Sequence, residues 1–237
     1  VPGPHGGIAT SYPFLGDRGQ GGLHAEQAIE MYDAENHRRH ALTYGIDPGI
    51  MAHIRLAIAA AWRGAIVEME TQFNAARAID DALGHAFSSS YLYAQTAATY
   101  HWLRDHPRAR RDCEYALEIV VKHGFSFYIA AISVLRGTLR GLDNDSAAGL
   151  REIEAALGTI ESVRSHLLYP YFVTLQAEAH AAMRDPERGL AMLPDAFAVM
   201  EKTRAEYIKP QLYAVKGALL RRARLNEEAE RAFEKSI

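Results

Sequence analysis

The side chains that could coordinate a metal ion are the first candidates for chemistry in this sequence. The chain has 11 histidines and a single cysteine, Cys113. His37 and His40 lie one helical turn apart, but no carboxylate completes the His-Glu-x-x-His pattern of a zinc site. His101 and His180 lie 79 residues apart, at positions that a sequence repeat would make equivalent, so repetition explains them better than metal coordination. The sequence therefore predicts no metal site and no cofactor.

A second candidate is an apparent calcium loop. Asp143-Asn144-Asp145, followed by Glu154, has the spacing of the acidic ligands in such a loop. Ala147 and Ala148 stand where the loop needs a further ligand and a glycine. We therefore interpret this segment as a turn between two helices.

No set of acid, base and nucleophile side chains marks a catalytic centre. Ser88-Ser89-Ser90 lacks the context of a nucleophile elbow, and Cys113 lies in the middle of a predicted helix, where we expect a small buried apolar residue. The glycines of residues 16–22 neither follow a strand nor precede Lys-Ser/Thr, as a phosphate-binding loop requires. We predict no catalytic residues and no enzyme activity for this chain.

The charge balance disfavours a nucleic-acid binder that acts by neutralising phosphates. The 237 residues include 26 Lys+Arg and 29 Asp+Glu, a formal net charge of -3. Asp112 and Glu114 dilute the basic run formed by Arg104, Arg108, Arg110 and Arg111, which predicts a solvated face.

No apolar run approaches the roughly 20 residues that span a bilayer. One cysteine fits a reducing compartment, so we predict a cytoplasmic protein without membrane contact.

The composition divides the chain into two parts. Residues 1–22 hold seven glycines and three prolines, which predicts a flexible segment or the remnant of a preceding repeat. Residues 23–237 are rich in Ala, Leu, Glu and Arg with apolar residues three and four apart, which predicts helices. Because the chain begins at Val1, we expect it to be a piece of a longer protein.

The helix breakers recur at a regular interval along the chain. The predicted turn positions are Gly64, Asp105, Asn144, Arg184 and Arg224. Small residues stand seven positions before them, at Ala57, Ala98, Gly137, Ala177 and Gly217. The second helices are predicted to end about twenty positions after the turns, at Gly84, Gly124, Arg164 and Arg204. The repeat period is thus about 40 residues, in the range typical of a solenoid of helical hairpins.

We predict an all-α fold, a right-handed superhelix of five to six antiparallel hairpins. Prolines at the first turns of helices support the boundaries, whereas Pro194 falls inside a predicted helix and should kink it. The predicted pairs are Pro48–Trp62 with Ile66–Leu83, Phe87–Arg104 with Pro107–His123, Phe125–Leu142 with Ala147–Val163, Leu167–Met183 with Pro186–Arg204, and Tyr207–Ala223 with Glu227–Ile237, after an incomplete unit at Leu23–Tyr32.

The small residues before the turns, with Gly149, Gly189 and Ala229 five positions after them, resemble the tetratricopeptide repeat (TPR) in a long form. Over residues 23–237 the chain resembles the C-terminal repeat region of bacterial multidomain signalling ATPases. The motifs that carry this resemblance are Tyr44-Gly45-Ile46-Asp47-Pro48-Gly49, Leu83-Gly84-His85-Ala86-Phe87-Ser88, His123-Gly124-Phe125 with Arg136-Gly137, Pro170-Tyr171-Phe172, Ala177-Glu178-Ala179, Pro186-Glu187-Arg188-Gly189-Leu190 and Lys216-Gly217. Arg184 departs from the family, which usually has a turn glycine there.

The resemblance implies a sensor that controls an upstream catalytic module. Proteins of this family usually carry a class III adenylate or guanylate cyclase or a DNA-binding domain, then a P-loop ATPase, then the repeats. We expect this chain to bind a peptide, a partner domain or a small effector and to regulate such an ATPase, cyclase or transcription regulator. The alternative is a structural scaffold that self-associates, as a homo-oligomer, without a small ligand.

Solenoids of this type bind ligands on the concave face formed by their first helices. The polar and aromatic residues predicted for that groove are Gln95, Thr99, Trp102, Tyr171, Thr174, Glu178 and Gln211. Arg136 and Lys216 each lie eight positions before a predicted turn, at a repeat position that should pack between helices. Long polar side chains there either contact a polar or anionic ligand or form a ladder of salt bridges. The ladder, with Glu152 or Glu154 as partner, is the interpretation we favour.

Overall fold

A computed structural model describes residues 18–33, 41, 45–143, 145–162 and 168–236. All regular structure in these residues is helical and none is strand, which confirms the all-α prediction. The eleven α-helices described are α1 (Arg18–Glu30), α2 (Pro48–Trp62), α3 (Ile66–Leu83), α4 (Ala86–Trp102), α5 (His106–His123), α6 (Ser126–Leu142), α7 (Ser146–Ser162), α8 (Tyr169–Ala182), α9 (Pro186–Thr203), α10 (Lys209–Arg222) and α11 (Asn226–Glu234). A 3-10 turn, Glu206–Ile208, precedes α10.

The chain divides into two compact units, Val1–Gly124 and Phe125–Ile237. In the first unit α2 pairs with α3 and α4 with α5, and α1 packs on α2. In the second unit the pairs are α6 with α7, α8 with α9 and α10 with α11. Within each unit, successive hairpins contact each other through their first helices, α2 with α4, α6 with α8 and α8 with α10.

Four of the turns inside the hairpins contain a residue with left-handed backbone. These residues are Gly64 (φ 72°), Arg104 (φ 62°), Arg184 (φ 61°) and Arg224 (φ 65°), separated by one, two and one repeat periods. The prediction of Asp105 as the turn residue is therefore wrong, because the left-handed residue is Arg104, one position earlier. Asp105 instead caps α5 by accepting a hydrogen bond from the Arg108 backbone N–H, as short acidic side chains do at helix starts.

The second helices end in the same left-handed conformation. Gly84, Gly124 and Arg204 have φ values of 61°, 70° and 55°, which confirms the predicted ends at these positions, while Arg164 lies outside the described residues. Glycine adopts this conformation freely, whereas for a residue with a Cβ atom it costs about 1 kcal/mol or more. A single left-handed residue thus lies where the chain reverses direction after many of the described helices, both within hairpins and between them.

Close contact between paired helices requires the small residues. A Cβ atom on Gly137 of α6 would lie 2.5 Å from the Gly149 carbonyl oxygen, and one on Gly149 of α7 would lie 2.3 Å from the Gly137 carbonyl oxygen. On Gly217, a Cβ atom would lie 2.7 Å from the Phe233 ring. The predicted crossing point is confirmed. Because the turn residue after α4 is Arg104, the small residue seven positions before it is the fully buried Ala97 and not Ala98.

The prolines lie where the sequence predicts them. The first turns of five helices contain Pro48, Pro107, Pro170, Pro186 and Pro210, where proline's missing N–H has no helical partner to lose. Pro194 lies inside α9, as predicted, and the helix continues beyond it to Thr203. None of the helices in the described part of the chain combines the length and apolar character needed to cross a bilayer.

Candidate functional site

A stripe of aromatic and polar side chains runs along the two neighbouring first helices of the first unit. Each member in α4 lies 40 residues, one repeat period, after a member in α2. Within each helix the first and second members, and the second and third, are four and seven residues apart, so all three lie on one side of the helix. Five members are partly exposed and Tyr91 is buried. The first-unit stripe consists of Met51, Arg55 and Trp62 on α2 and Tyr91, Gln95 and Trp102 on α4.

A contact between Arg55 and Tyr91 joins the two halves of the stripe. The Arg55 Nη2 atom donates a hydrogen bond to the Tyr91 hydroxyl, and the guanidinium carbon lies 5.9 Å from the centre of the tyrosine ring. Arg55 is the single charged residue of the stripe, and both tryptophans of the chain belong to it. Arg, Tyr and Trp are the residues that most often dominate the binding energy of protein interfaces.

The structure places two of the three groove residues predicted in this unit on the stripe. Gln95 and Trp102 are partly exposed there, but Thr99 is fully buried and its hydroxyl donates to the Gln95 carbonyl oxygen at 2.8 Å. The prediction of Thr99 as a surface residue is therefore wrong. The repeat register set by the left-handed Arg104 makes Trp62 the equivalent of Trp102, which sequence reasoning missed.

In the second unit, Tyr171 and Gln211 occupy equivalent positions, one repeat period apart, on the contacting helices α8 and α10. Both are partly exposed, as is Glu178. The buried Oε1 atom of Gln211 accepts no hydrogen bond within the described residues. Thr174 is buried and its hydroxyl donates to the Pro170 carbonyl oxygen at 2.7 Å, so its prediction as a groove contact is wrong.

The two basic side chains predicted as possible anion contacts have partners of their own. The Arg136 Nε atom donates to Glu152 Oε1 at 2.6 Å, which is the salt bridge that we favoured from the sequence. The Lys216 ammonium lies 5.6 Å from the centre of the Phe197 ring, within range of a cation–π contact. Arg136 thus forms the ion pair that the salt-bridge ladder requires, and the contact of Lys216 with Phe197 is one that the sequence did not predict.

A polar network that sequence reasoning missed lies inside the first unit. The buried Tyr100 hydroxyl donates to Glu70 at 3.0 Å and accepts from Arg77 at 3.4 Å, and Arg77 also lies 3.4 Å from Asp112. Burial raises the pKa of the Tyr100 hydroxyl, which stays protonated and able to donate. Arg108 donates to Glu70 as well. The network joins α3, α4 and α5, so these charged groups are engaged in contacts within the first unit.

Two arginines of the basic run around the start of α5 are held in ion pairs. Arg108 pairs with Asp105 at 2.6 Å as well as with Glu70, and Arg111 pairs with Asp112 at 2.8 Å. Because these guanidinium groups already have carboxylate partners, binding a phosphate backbone here would require breaking them. This face has the ion-paired character of an ordinary helix surface.

His101, His180 and Cys113 are buried residues of the described chain. Within the ranges described above, no three His, Cys, Asp or Glu side chains are grouped as a metal site would require; His37 and His40 lie outside those ranges. The equivalence of His101 and His180 is wrong, because the corrected repeat period pairs His180 with Tyr100. Cys113 is fully buried, one period after the buried Phe73, as expected for a core residue.

Asp80, at the end of α3, is a buried carboxylate whose ionisation opposes folding. It is 6% exposed and accepts a hydrogen bond of 2.7 Å from the Ser89 hydroxyl. Burial raises its pKa above the ordinary value of an aspartate. Because the pKa of Asp80 is higher in the folded chain than in the unfolded chain, its protonated form stabilises the fold at pH values below the unfolded-state pKa. This stabilisation is lost as the pH rises through the folded-state pKa.

The replacement Asp80→Asn is therefore expected to remove one source of pH dependence. It keeps an acceptor for Ser89 but cannot ionise, so its advantage in unfolding free energy over the wild type should grow from acidic to neutral pH. Urea unfolding of both proteins at several pH values measures this, with Asp195→Asn, at an exposed position of α9, as the control. An equal pH dependence for the wild type and Asp80→Asn would contradict the assignment.

The fold defines the class of this protein as an all-α chain of recurring helical hairpins, with an aromatic stripe on the first helices of its first unit. In comparison with known proteins, the chain matches no family model and no curated protein.

Proposed function

We propose that this chain is a non-catalytic interaction module that binds a peptide segment of a partner protein along the first-unit stripe. The observation that carries the proposal is the stripe itself, where an arginine is hydrogen-bonded to a tyrosine and two tryptophans lie at equivalent positions, at the C-terminal ends of the two helices. Large rigid side chains supply contact area at a small entropic cost, and the single guanidinium supplies direction and specificity. Two contacting parallel helices offer the elongated surface that such a segment needs.

The proposed architecture is a TPR-like right-handed superhelix with the stripe on its concave side. The constant repeat period, the small residues at the helix crossing and the contacts between successive first helices within each unit support it. Small-angle scattering of the chain tests this directly. An elongated, curved profile is expected, and a profile of two separate globular bodies would contradict it.

The proposed role is regulatory, through an upstream ATPase, nucleotide cyclase or transcription regulator in the cytoplasm. It rests on the resemblance of residues 23–237 to the repeat region of signalling ATPases. A ligand that prefers one arrangement of the hairpins would shift the population of that arrangement and so change the output of an attached module. Sequencing the complete reading frame tests the context, and a protein without any such module would contradict it.

Self-association without a small ligand is the second candidate. It is favoured by exposed apolar side chains on the second helices of the first unit, Val67 at 83% and Val121 at 58% exposure. Light scattering over a range of concentrations separates the two. A constant monomer mass supports the interaction module, and a mass that rises with concentration supports the scaffold.

Trp102→Ala is expected to weaken peptide binding by about thirtyfold, because the truncation of a tryptophan that anchors an interface removes about 2 kcal/mol of binding energy. Peptides selected from a displayed random library serve as the probes, and fluorescence anisotropy measures their affinity. Because both tryptophans lie on the stripe, their emission should also shift on binding.

The matched control is Leu142→Ala, which truncates an exposed side chain at the equivalent repeat position in the second unit. Its peptide affinity should equal that of the wild type. Selected peptides that bind Trp102→Ala as well as the wild type would rule out the first-unit stripe as the site.

A further inference from the structure

Arginine occupies every left-handed backbone position in the described residues that glycine does not. The four residues are Arg104, Arg184, Arg204 and Arg224. Apart from glycine, the residues usually found in this conformation are Asn, Asp and His, whose short side chains suit it. Arginine brings no backbone advantage, so a role of the side chain is the natural reason to keep it.

Two of these arginines lie at the same end of neighbouring hairpins in the second unit. Arg184 is in the turn between α8 and α9, and Arg224 is in the turn between α10 and α11. Arg222, at the end of α10, donates a hydrogen bond to the carbonyl oxygen of Ala181, at the end of α8. Because packed helices lie about 8–10 Å apart, the two turns are near neighbours.

Four exposed arginines near the turns of the last two hairpins of the second unit have no carboxylate partner within the described residues. We call Arg184, Arg188, Arg222 and Arg224 the turn-end arginines. Two other exposed arginines near such turns are paired with carboxylates, Arg63 with Glu68 at 2.7 Å and Arg140 with Asp145 at 2.7 Å, and Arg221 lies over the Phe233 ring. The turn-end arginines thus concentrate guanidinium groups whose charge is not neutralised by a carboxylate of the described chain.

Acidic side chains next to the turns limit the length of an anionic chain that can bind there. Asp185 accepts a hydrogen bond from the Arg188 backbone N–H as the cap of α9. Glu187, Glu227 and Glu228 lie in the first turns of α9 and α11, where the helix dipole favours them. A nucleic acid crossing this end of the unit would meet these carboxylates, whereas a short acidic segment can reach the arginines between them.

We propose that the turn-end arginines bind a short acidic polypeptide segment, a run of Asp or Glu side chains. Each carboxylate can accept two parallel hydrogen bonds from one guanidinium. Several carboxylates on one chain bind together, because the first contact raises the effective concentration of the next. This site lies in the second unit and is independent of the first-unit stripe.

The experiment removes the charge without disturbing the backbone. In Arg184→Gly/Arg224→Gly, glycine adopts the left-handed conformation freely, so the fold should be at least as stable as the wild type, which thermal unfolding checks. Binding of a fluorescein-labelled oligoglutamate peptide at low salt is measured by anisotropy. The double variant is expected to bind roughly tenfold or more weakly, since the loss of even one charged hydrogen bond costs about that factor.

The matched control is Arg204→Gly, a left-handed arginine in the turn after α9, at the other end of that helix. It should lower the affinity for oligoglutamate by less than twofold, roughly what one distant, screened charge contributes. The proposal is overturned if the wild type does not bind oligoglutamate, or if Arg204→Gly weakens binding as much as the double variant. Tighter binding of a labelled single-stranded oligonucleotide, or competition by inorganic phosphate at equal concentration, would also overturn it.

Discussion

Gly149→Ala is expected to unfold the second unit or to destabilise it by more than about 3 kcal/mol. The new Cβ atom would lie 2.3 Å from the carbonyl oxygen of Gly137 and 3.1 Å from the backbone nitrogen of Gly141. Backbone atoms of a helix cannot move aside as a flexible side chain can, so α6 and α7 must separate and lose packing along their length. Urea unfolding monitored by circular dichroism measures the loss.

The same helix offers a matched control. Gly158 lies on the exposed side of α7, and a Cβ atom there would meet nothing within 4 Å. Gly158→Ala should therefore stabilise the chain by about 0.5–1 kcal/mol, since alanine loses less entropy in a helix. If both variants had wild-type stability, the close contact between α6 and α7 would be wrong.

Asp47→Ala is the second change with a large expected effect, a loss of about 3 kcal/mol. The fully buried carboxylate caps α2 by accepting from the backbone N–H groups of Gly49 and Ile50, at 2.9 and 3.0 Å. It also accepts from the Tyr32 hydroxyl at 3.1 Å. Alanine removes a helix cap, which costs about 1–2 kcal/mol, and takes an acceptor from a partly buried hydroxyl, which costs about as much again.

Asp185→Ala separates the two contributions. Asp185 also caps a helix, α9, but its side chain is 47% exposed and the hydrogen bond with the Arg188 backbone N–H is 3.3 Å long. Its removal should cost about 1 kcal/mol. Chemical denaturation of both variants gives the comparison, and equal losses would show that the contact between Tyr32 and Asp47 contributes nothing.

The helices and their period could be predicted because the forces that set them are local. Prolines in first turns, left-handed residues at helix ends and apolar spacing each depend on a few neighbouring residues. The one-residue error at Asp105 shows the limit of this approach. An aspartate can end a turn or cap the next helix, and only the backbone angles of Arg104 distinguish the two.

The site was predicted less well because exposure depends on the neighbouring hairpin. Thr99 and Thr174 are polar, so the sequence placed them on the surface, yet both are buried and bond to carbonyl oxygens four positions earlier in their own helices. Such bonds let a threonine lie inside a helix contact at little cost. Nothing in the residue type alone indicates which outcome occurs.

The sequence by itself determined that this chain is helical, that its hairpins recur at a constant interval and that small residues mark each crossing, because these features repeat along the chain. Only the tertiary structure decided which side chains form the first-unit stripe, which charges pair in the network around Tyr100 and which arginines of the described chain keep no carboxylate partner. Pairing and exposure arise between helices distant in sequence, so they follow from how the helices pack and not from the order of residues alone.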